Sequence, residues 1–461
     1  MAKPNFIFIL MDDLGWKDLG CYGSTFYETP HLDQLAEEGV RFTDAYAACP
    51  VCSPTRASIL SGKYPAAVGV TNFIGGHTRG KLIDAPYIDH LPLKEKSLAS
   101  TLGENGYTTW HVGKWHLGDA PYYPTEHGFD VNVGGCSWGM PLNGYFSPWG
   151  IENLEDGPEG EYLTDRLTDE AIDLIHNNED QPFFLNLWYY AVHIPIQAKE
   201  ENIRKYETKA KEMGLDKVKT FEEGDFFPCE HKKDKRLVRR LVQSDPAYAA
   251  MVESMDENIG RLFAALEETG QAKDTIIIFT SDNGGLATAE GSPTCNAPLA
   301  EGKGWMYEGG TREPLLIKWP GVTEPATVCD FSVSSPDFYP TMLEMAGLDP
   351  LPEQHRDGVS LVPLLEGTGT PEREAIYWHY PHYGNQGGTP GSSLRVEDHK
   401  LIEFFEDGRI ELYNLRQDIS EEENLAEDEP ELALRLKRLL AGWRESVEAK
   451  IPEPNPDYEP W

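Results

Sequence analysis

The stretch NFIFILMDDLGW, residues 5–16, begins with seven almost wholly apolar residues and then turns abruptly acidic. A strand with one wet face would alternate polar and apolar positions. An unbroken apolar run of strand length, Asn5 to Met11, instead predicts a strand buried on both faces, the situation inside a parallel sheet covered by helices. It is far shorter than the roughly 18 apolar residues that would suggest a membrane span. In open α/β sheets, ligand chemistry gathers at the carboxyl ends of the strands. Asp12 and Asp13 stand where this strand ends.

The pattern recurs along the chain. TPHLDQLAEEGVRF (29–42) reads as a capped helix ending at Gly39, and Ala247–Glu268 has apolar residues at helical spacing with Gly270 just beyond. Thr108–Val112, Pro182–Tyr190 and Thr275–Thr280 have strand composition. Together they predict an α/β domain, a large mostly parallel sheet flanked by helices. Asp349–Arg373 is rich in proline, glycine and charge and reads as a boundary. Beyond it, short runs at Ala375–Trp378, Ser393–Val396, Lys400–Phe405 and Ile410–Asn414, followed by a helix over Glu429–Val447, predict a smaller antiparallel sheet with one packed helix. The expected division is 1–360 and 361–461. Lys199–Arg240, dense in lysine and glutamate, reads as a surface insertion with a helical part.

The 461 residues carry 40 basic and 77 acidic side chains, a formal charge of −37. Such a balance argues against nucleic-acid binding through phosphate contacts. It also repels anionic substrates at long range, a repulsion that salt screens over about 10 Å at 0.1 M and about 3 Å at 1 M. The first 30 residues lack the basic, apolar and small-residue order of a signal peptide, so localisation is not read from them. Of seven cysteines only Cys49 and Cys52 have CxxC spacing, and no second pair or nearby histidine completes a zinc site.

Other strand exits carry further polar groups. TIIIFT runs into SDNGG, giving Asp282 and Asn283; with Asp12 and Asp13 these make a hard-oxygen set suited to calcium or magnesium. GYTTWHVGKWHLG delivers Lys114 and His116, FFLNLWYYAVHIP delivers His193, and the glycine-rich AEGKGWMYEGGTREP carries Lys303. Singly, each is equally compatible with a turn, a cap or a packing role. VCSPTRASILSG (51–62) sets Cys52 just before a proline-led helical start, with Arg56 one turn on.

Taken together, these segments resemble the formylglycine-dependent sulfatases of the alkaline phosphatase superfamily. CSPTR is similar to the family's modification motif, and GYTTWHVGKWH to its second signature. ILMDDLGW, FTSDNGG, GKGWMYEGGTREP, SPDFYPTMLEMAG, DGVSLVPLL and ELYNLRQDISEEENLA match further landmarks, in family order over nearly the whole chain. The resemblance implies that a maturation enzyme oxidises Cys52 to formylglycine. Asp12, Asp13, Asp282 and Asn283 would then hold calcium, with magnesium as the alternative, and residue 52 would complete the metal site. Arg56 would orient the hydrate of residue 52. Lys114 and Lys303 would clamp sulfate oxygens, His193 would protonate the leaving oxygen, and His116 would take the hydrate's second proton to release sulfate.

The likeness is strongest to bacterial sulfatases acting on polysaccharide-derived sugars and to the arylsulfatase A and N-acetylgalactosamine-sulfate branch. It implies a sulfated mono- or oligosaccharide substrate, exo action on galactose or N-acetylgalactosamine sulfate, and export to the periplasm or beyond. Trp138, Trp149, His379 and His382 are candidate sugar contacts. A formylglycine-dependent phosphonate monoester or phosphodiester hydrolase is the rival chemistry. A catalytically silent, calcium-dependent glycan-binding protein is the rival of another class.

Overall fold

The computed structural model describes residues 3–178 and 181–459. Among them, nine strands form one large sheet. Its order is Thr327–Cys329, Val40–Tyr46, Arg312–Lys318, Thr275–Ser281, Asn5–Met11, Phe183–Trp188, Thr108–Gly113 and Val131–Val133, with Val333–Ser334 also pairing beside Val40–Tyr46. The central strand Asn5–Met11 pairs in parallel on both sides, Phe6 facing Phe184 and Ile276.

Both of its faces are covered, as its unbroken apolar run requires. Ile7, Ile9 and Met11 join a core with Leu163, Leu167 and Ala171 of the helix Leu163–His176 and with Met251, Met255 and Ile259 of the helix Pro246–Glu268. Phe6, Phe8 and Leu10 enter a second core with Ala57, Ile59 and Leu60 of the helix Cys52–Ser61 and with Phe338 and Met342 of the helix Phe338–Met345. At about 1.5–3 kcal/mol for each fully buried large apolar side chain, the alternation fixes the strand's register as well as its burial.

Arg312–Lys318 runs antiparallel to both neighbours. Its amino end therefore lies at the edge where the other strands have their carboxyl ends. That reversal brings the loop carrying Lys303 to the same edge as Asp12, Lys114 and Asp282.

The strands Ile376–Tyr380, Gly391–Val396, His399–Phe404 and Ile410–Asn414 form an antiparallel sheet in chain order. One face packs Leu394, Leu401 and Leu412 against Ala433, Leu436 and Leu440 of the helix Pro430–Ser446. The other packs Trp378, Tyr380, Ile402 and Phe404 against Tyr46, Cys49, Val51 and Met306. The Trp378 indole donates to the Ala47 carbonyl at 2.7 Å. The small sheet thus braces the segment leading into Cys52.

Between the sheets lies a buried ionic layer. Lys400 Nζ is 2.9 Å from both Glu308 Oε1 and Glu421 Oε1, and Arg395 and Arg312 both pair with Asp44. The expected insertion contains the helix Glu200–Glu212, docked through Tyr206, and the hairpin Phe221–Phe226 with Arg236–Arg240. The hairpin is not wholly superficial. Phe227, Cys229 and Leu237 are buried with Leu82, Ala289 and Tyr383.

Candidate active site

Ten residues expected from six separate stretches meet at the carboxyl edge of the large sheet. Asp12 and Asp13 follow the strand Asn5–Met11, Asp282 and Asn283 follow Thr275–Ser281, and Lys114 follows Thr108–Gly113. Asp12 Oδ2 accepts from Lys114 Nζ at 2.6 Å, and the Lys303 ammonium lies 2.8 Å from Asp13 Oδ1. Lys303 also reaches His193 Nε2 at 2.9 Å. Asn283 donates from Nδ2 to Asp13 Oδ1 at 2.8 Å. Asp13 and His116 both adopt left-handed backbone, φ 62° and 54°, conformations that cost non-glycine residues energy and concentrate at functional sites.

Cys52 is the first residue of the helix Cys52–Ser61, so the positive end of that helix faces the acidic group. Pro54 sits in the first turn, where a missing N–H costs no helical bond. All ten residues of this helix are buried, which is why its sequence shows no amphipathic stripe. Arg56, expected to orient residue 52, has further partners that the sequence did not suggest. Its Nε donates to Asp282 Oδ2 at 2.8 Å and its Nη1 to the Lys114 carbonyl at 3.0 Å. Nη2 lies 2.7 Å from the same Asp282 oxygen as an ion pair without hydrogen-bond geometry, and the guanidinium covers the Trp188 ring. Arg56 therefore fixes Asp282 and the Lys114 backbone.

The histidine tautomers follow from their partners, because a carbonyl can only accept. His116 Nε2 faces the Ile74 carbonyl at 3.2 Å and so carries the proton. This leaves Nδ1 as a lone pair 3.4 Å from Cys52 Sγ, oriented as a base toward residue 52. His193 Nδ1 donates to the Ile194 carbonyl at 2.9 Å, so its Nε2 accepts from Lys303. Gly139 lets backbone approach His116; a Cβ there would come within 2.5 Å of the ring.

Burial raises the Asp12 carboxyl to about 8, with Asp282 pushing the same way. Burial would also raise Asp13, but Lys303 and His193 hold it well below the usual carboxylate range. Burial and the neighbouring Lys303 lower His193 to about 3, while burial and Lys114 hold His116 far below an ordinary imidazole. Burial raises the Cys52 thiol despite the pull of Lys114 and Lys303. Cys52 in this setting is a poor thiolate nucleophile.

The donor set suits a hard cation. Ligand atoms of Asp12, Cys52 and Asp282 lie within 4.8 Å of one another, as do those of Asp12, Asp13 and His193. Asp12 Oδ1 and Asn283 Oδ1 are buried with no hydrogen-bond partner, the condition a cation would relieve.

The proposed sugar contacts do not all gather here. His379 is buried, with Nδ1 2.7 Å from Ser392 Oγ and Nε2 2.9 Å from the Lys450 carbonyl. His382 is fully buried between Thr71 and Asp84. Trp149 is a core residue whose indole donates to the Tyr145 carbonyl. With their polar atoms committed inside the protein, these three are packing residues. Trp138 is half-buried next to Gly139, beside His116.

Asn296 was not anticipated. Its side-chain amide donates to the carbonyls of Gly285, Glu301 and Gly309 at 2.9, 2.9 and 3.3 Å, tying down the Lys303 loop. Nothing in its local sequence, CNAP, distinguishes it from a turn residue.

A family model described as Sulfatase matches residues 4–348, and one described as N-sulphoglucosamine sulphohydrolase, C-terminal, matches 301–445. A Formosa agariphila protein named Sulfatase is 33% identical over 521 residues, covering 96% of this chain and 88% of its own length. The N-acetylgalactosamine-6-sulfatase of Sus scrofa is 33% identical over 399 residues, covering 81% and 68%. The crystal structure of Ps i-CgsB in complex with k-i-k-neocarrahexaose superposes with a TM-score of 0.76 at 31% identity, covering 96% and 93% of the two chains.

Proposed function

The chain belongs to the sulfatase family and is a sulfuric ester hydrolase, and from that premise we propose that it removes sulfate from a terminal galactose- or N-acetylgalactosamine-type sugar. The convergence of Asp12, Asp13, Asp282, Asn283, Lys114, Lys303, His116 and His193 around residue 52 carries this reading. Calcium, or magnesium, held by Asp12, Asp13, Asp282 and Asn283, with residue 52 converted to formylglycine by a maturation enzyme, would supply charge neutralisation and an oxygen nucleophile.

The remaining roles belong to this chain's own side chains. Lys114 and Lys303 bring two buried ammonium groups to the sulfate oxygens, where low dielectric strengthens each charge-assisted bond. His116 Nδ1 accepts a proton at residue 52, and its Nε2–H bond to Ile74 keeps that lone pair aimed. On the other side Lys303 donates to His193 Nε2, so the proton delivered to the leaving sugar oxygen starts on the Lys303 ammonium and is relayed through His193. Arg56 acts through Asp282 as a positioning residue.

Depth supports exo action. Cys52, His116 and Lys303 are 3%, 4% and 5% exposed, so an internal unit of a chain would have to bend sharply to enter. The relative named N-acetylgalactosamine-6-sulfatase supports the sugar type. Export to the periplasm or beyond rests on the resemblance; among the described residues no helix is long and apolar enough to cross a membrane.

The test is sulfate release from a panel of defined sulfated mono- and oligosaccharides, using protein produced with a maturation enzyme, together with the peptide mass at residue 52. Release from terminal galactose-type sulfates is expected. Preference for a matched phosphate diester or phosphonate monoester would overturn the proposed substrate. Calcium-dependent glycan binding without turnover, with an intact thiol, would select the silent binding protein.

A further inference from the structure

Asp18 is fully buried five residues beyond Asp13, and no step of the chemistry above uses it. A carboxylate away from water is costly unless donors surround it. Four donors meet this one. Its Oδ2 accepts from the Gly15 N–H at 2.9 Å and the Tyr248 hydroxyl at 2.6 Å, and its Oδ1 from the Thr294 hydroxyl at 2.8 Å and the Gln243 amide at 2.9 Å. An ionised carboxylate offers about four lone-pair sites, so its capacity is filled. Burial raises the group to about 6 against the pull of these bonds, and above neutrality it carries its charge.

The two oxygens serve different parts of the site. On the Oδ2 side, the bond from Gly15 and the return bond from the Asp18 N–H to the Gly15 carbonyl, at 3.0 Å, close the turn that follows Asp13. The Tyr248 hydroxyl also stands 3.4 Å from the Asp13 carbonyl. These contacts hold Asp13 in the left-handed backbone from which its carboxylate meets Lys303 and Asn283. On the Oδ1 side, Thr294 lies two residues before Asn296, whose amide ties down the Lys303 loop. Gly15 brings the two sides into contact, since a Cβ there would come within 2.5 Å of Asn296 Oδ1.

We propose that Asp18 is a positioning residue that holds the Asp13 turn and the Lys303 loop in register, its Oδ2 side setting affinity for the metal and its Oδ1 side setting capture of the sulfate group. The inference rests on the reading that Asp13 binds the cation and Lys303 a sulfate oxygen. One buried carboxylate then couples two groups that stand 290 positions apart in the chain.

The experiment measures calcium affinity by calorimetry and, at saturating calcium, KM and kcat for sulfate release from a terminally sulfated sugar, on protein produced with a maturation enzyme. Tyr248→Phe cuts the Oδ2 side and leaves the carboxylate in place; calcium affinity should fall about tenfold, with KM at saturating calcium unchanged. Thr294→Val cuts the Oδ1 side; KM should rise about tenfold, with calcium affinity undiminished. Asp18→Asn should move both, and the rise in KM reports position, because losing a negative charge would by itself favour an anionic substrate. Asp256 supplies the comparison, being buried on the same helix as Tyr248 and accepting from the His31 and Leu32 N–H groups at 3.0 and 2.9 Å. Asp256→Asn should lower the denaturant midpoint and leave calcium affinity and KM alone. Where Asp18→Asn fails to fold, Tyr248→Phe and Thr294→Val decide. If those two shift calcium affinity and KM together, or change neither by more than Asp256→Asn does, the proposal is overturned. Wild-type protein that binds no calcium and releases no sulfate would overturn the reading of Asp13 and Lys303 themselves, and the proposal with it.

Discussion

Replacing Lys400 by methionine probes how the small sheet supports the active site. Lys400, Glu308 and Glu421 are all fully buried, with the ammonium 2.9 Å from one oxygen of each carboxylate. Methionine matches the stem and removes the charge. Glu308 keeps Arg312 at 3.1 Å, but Glu421 keeps only the Glu308 N–H, at 2.6 Å. Breaking a buried pair by removing one partner costs about 3–5 kcal/mol, because the remaining charge is stranded. The loss should be read as a lowered denaturant midpoint.

The pH dependence has a definite sign. In the native protein burial would raise Glu308, but Lys400 and Arg312 outweigh it and hold it at about 2. Its stabilisation is therefore present above the unfolded value near 4.5 and lost as pH falls toward 2. Burial raises Glu421 to about 7, so its contribution is present below 4.5 and lost as pH rises through 7. Without Lys400 both carboxyls move up, and the deficit of Lys400→Met should be largest above neutrality and shrink toward pH 5. Because Glu421 fixes the start of the short helix Glu308–Thr311, five residues after Lys303, kcat should fall with stability. Lys400→Met/Glu421→Gln should recover most of both. A loss under about 1 kcal/mol, or a deficit that grows on acidification, would refute the reasoning.

Cys52→Ala should abolish sulfate release while leaving affinity for a sulfated sugar largely intact, since both lysines and the oxygen ligands remain; unchanged turnover would exclude residue 52 from the chemistry. His193→Ala should cost about 10²–10⁴ in rate on sugar sulfates and much less on aryl sulfates with acidic leaving groups, whereas the loss from His116→Ala should not depend on the leaving group. Matching leaving-group dependence for the two would reassign them. With Asp12 protonated up to about 8, calcium uptake at pH 7 should release about one proton, and affinity should rise with pH toward 8. Calorimetry in buffers of different ionisation enthalpy checks this, and binding without proton release would contradict it.

Much of the architecture was legible because burial writes itself into the chain. The run Asn5–Met11, the strand Thr275–Ser281 and the helix Pro246–Glu268 lie within a residue or so of their expected limits, since each must present apolar groups on fixed faces. His379, His382 and Trp149 were misread for a related reason. A polar or aromatic side chain in a loop has the same local sequence whether it meets a sugar or, as here, Ser392, Asp84 and Tyr145. The bond from Arg56 to Asp282 left no local signal either, because Asp282 is 226 positions away.

The sequence by itself determined the sheet, its helical cover and the identity of the groups at its active edge, because strand exits in such a sheet converge whatever the loops do. Only the tertiary structure decided which nitrogen of His116 faces residue 52, that Arg56 serves Asp282, and that Asn296 holds the Lys303 loop. These depend on contacts between residues far apart in the chain, where hydrogen-bond geometry and charge are set by three-dimensional neighbours and leave no periodicity to read.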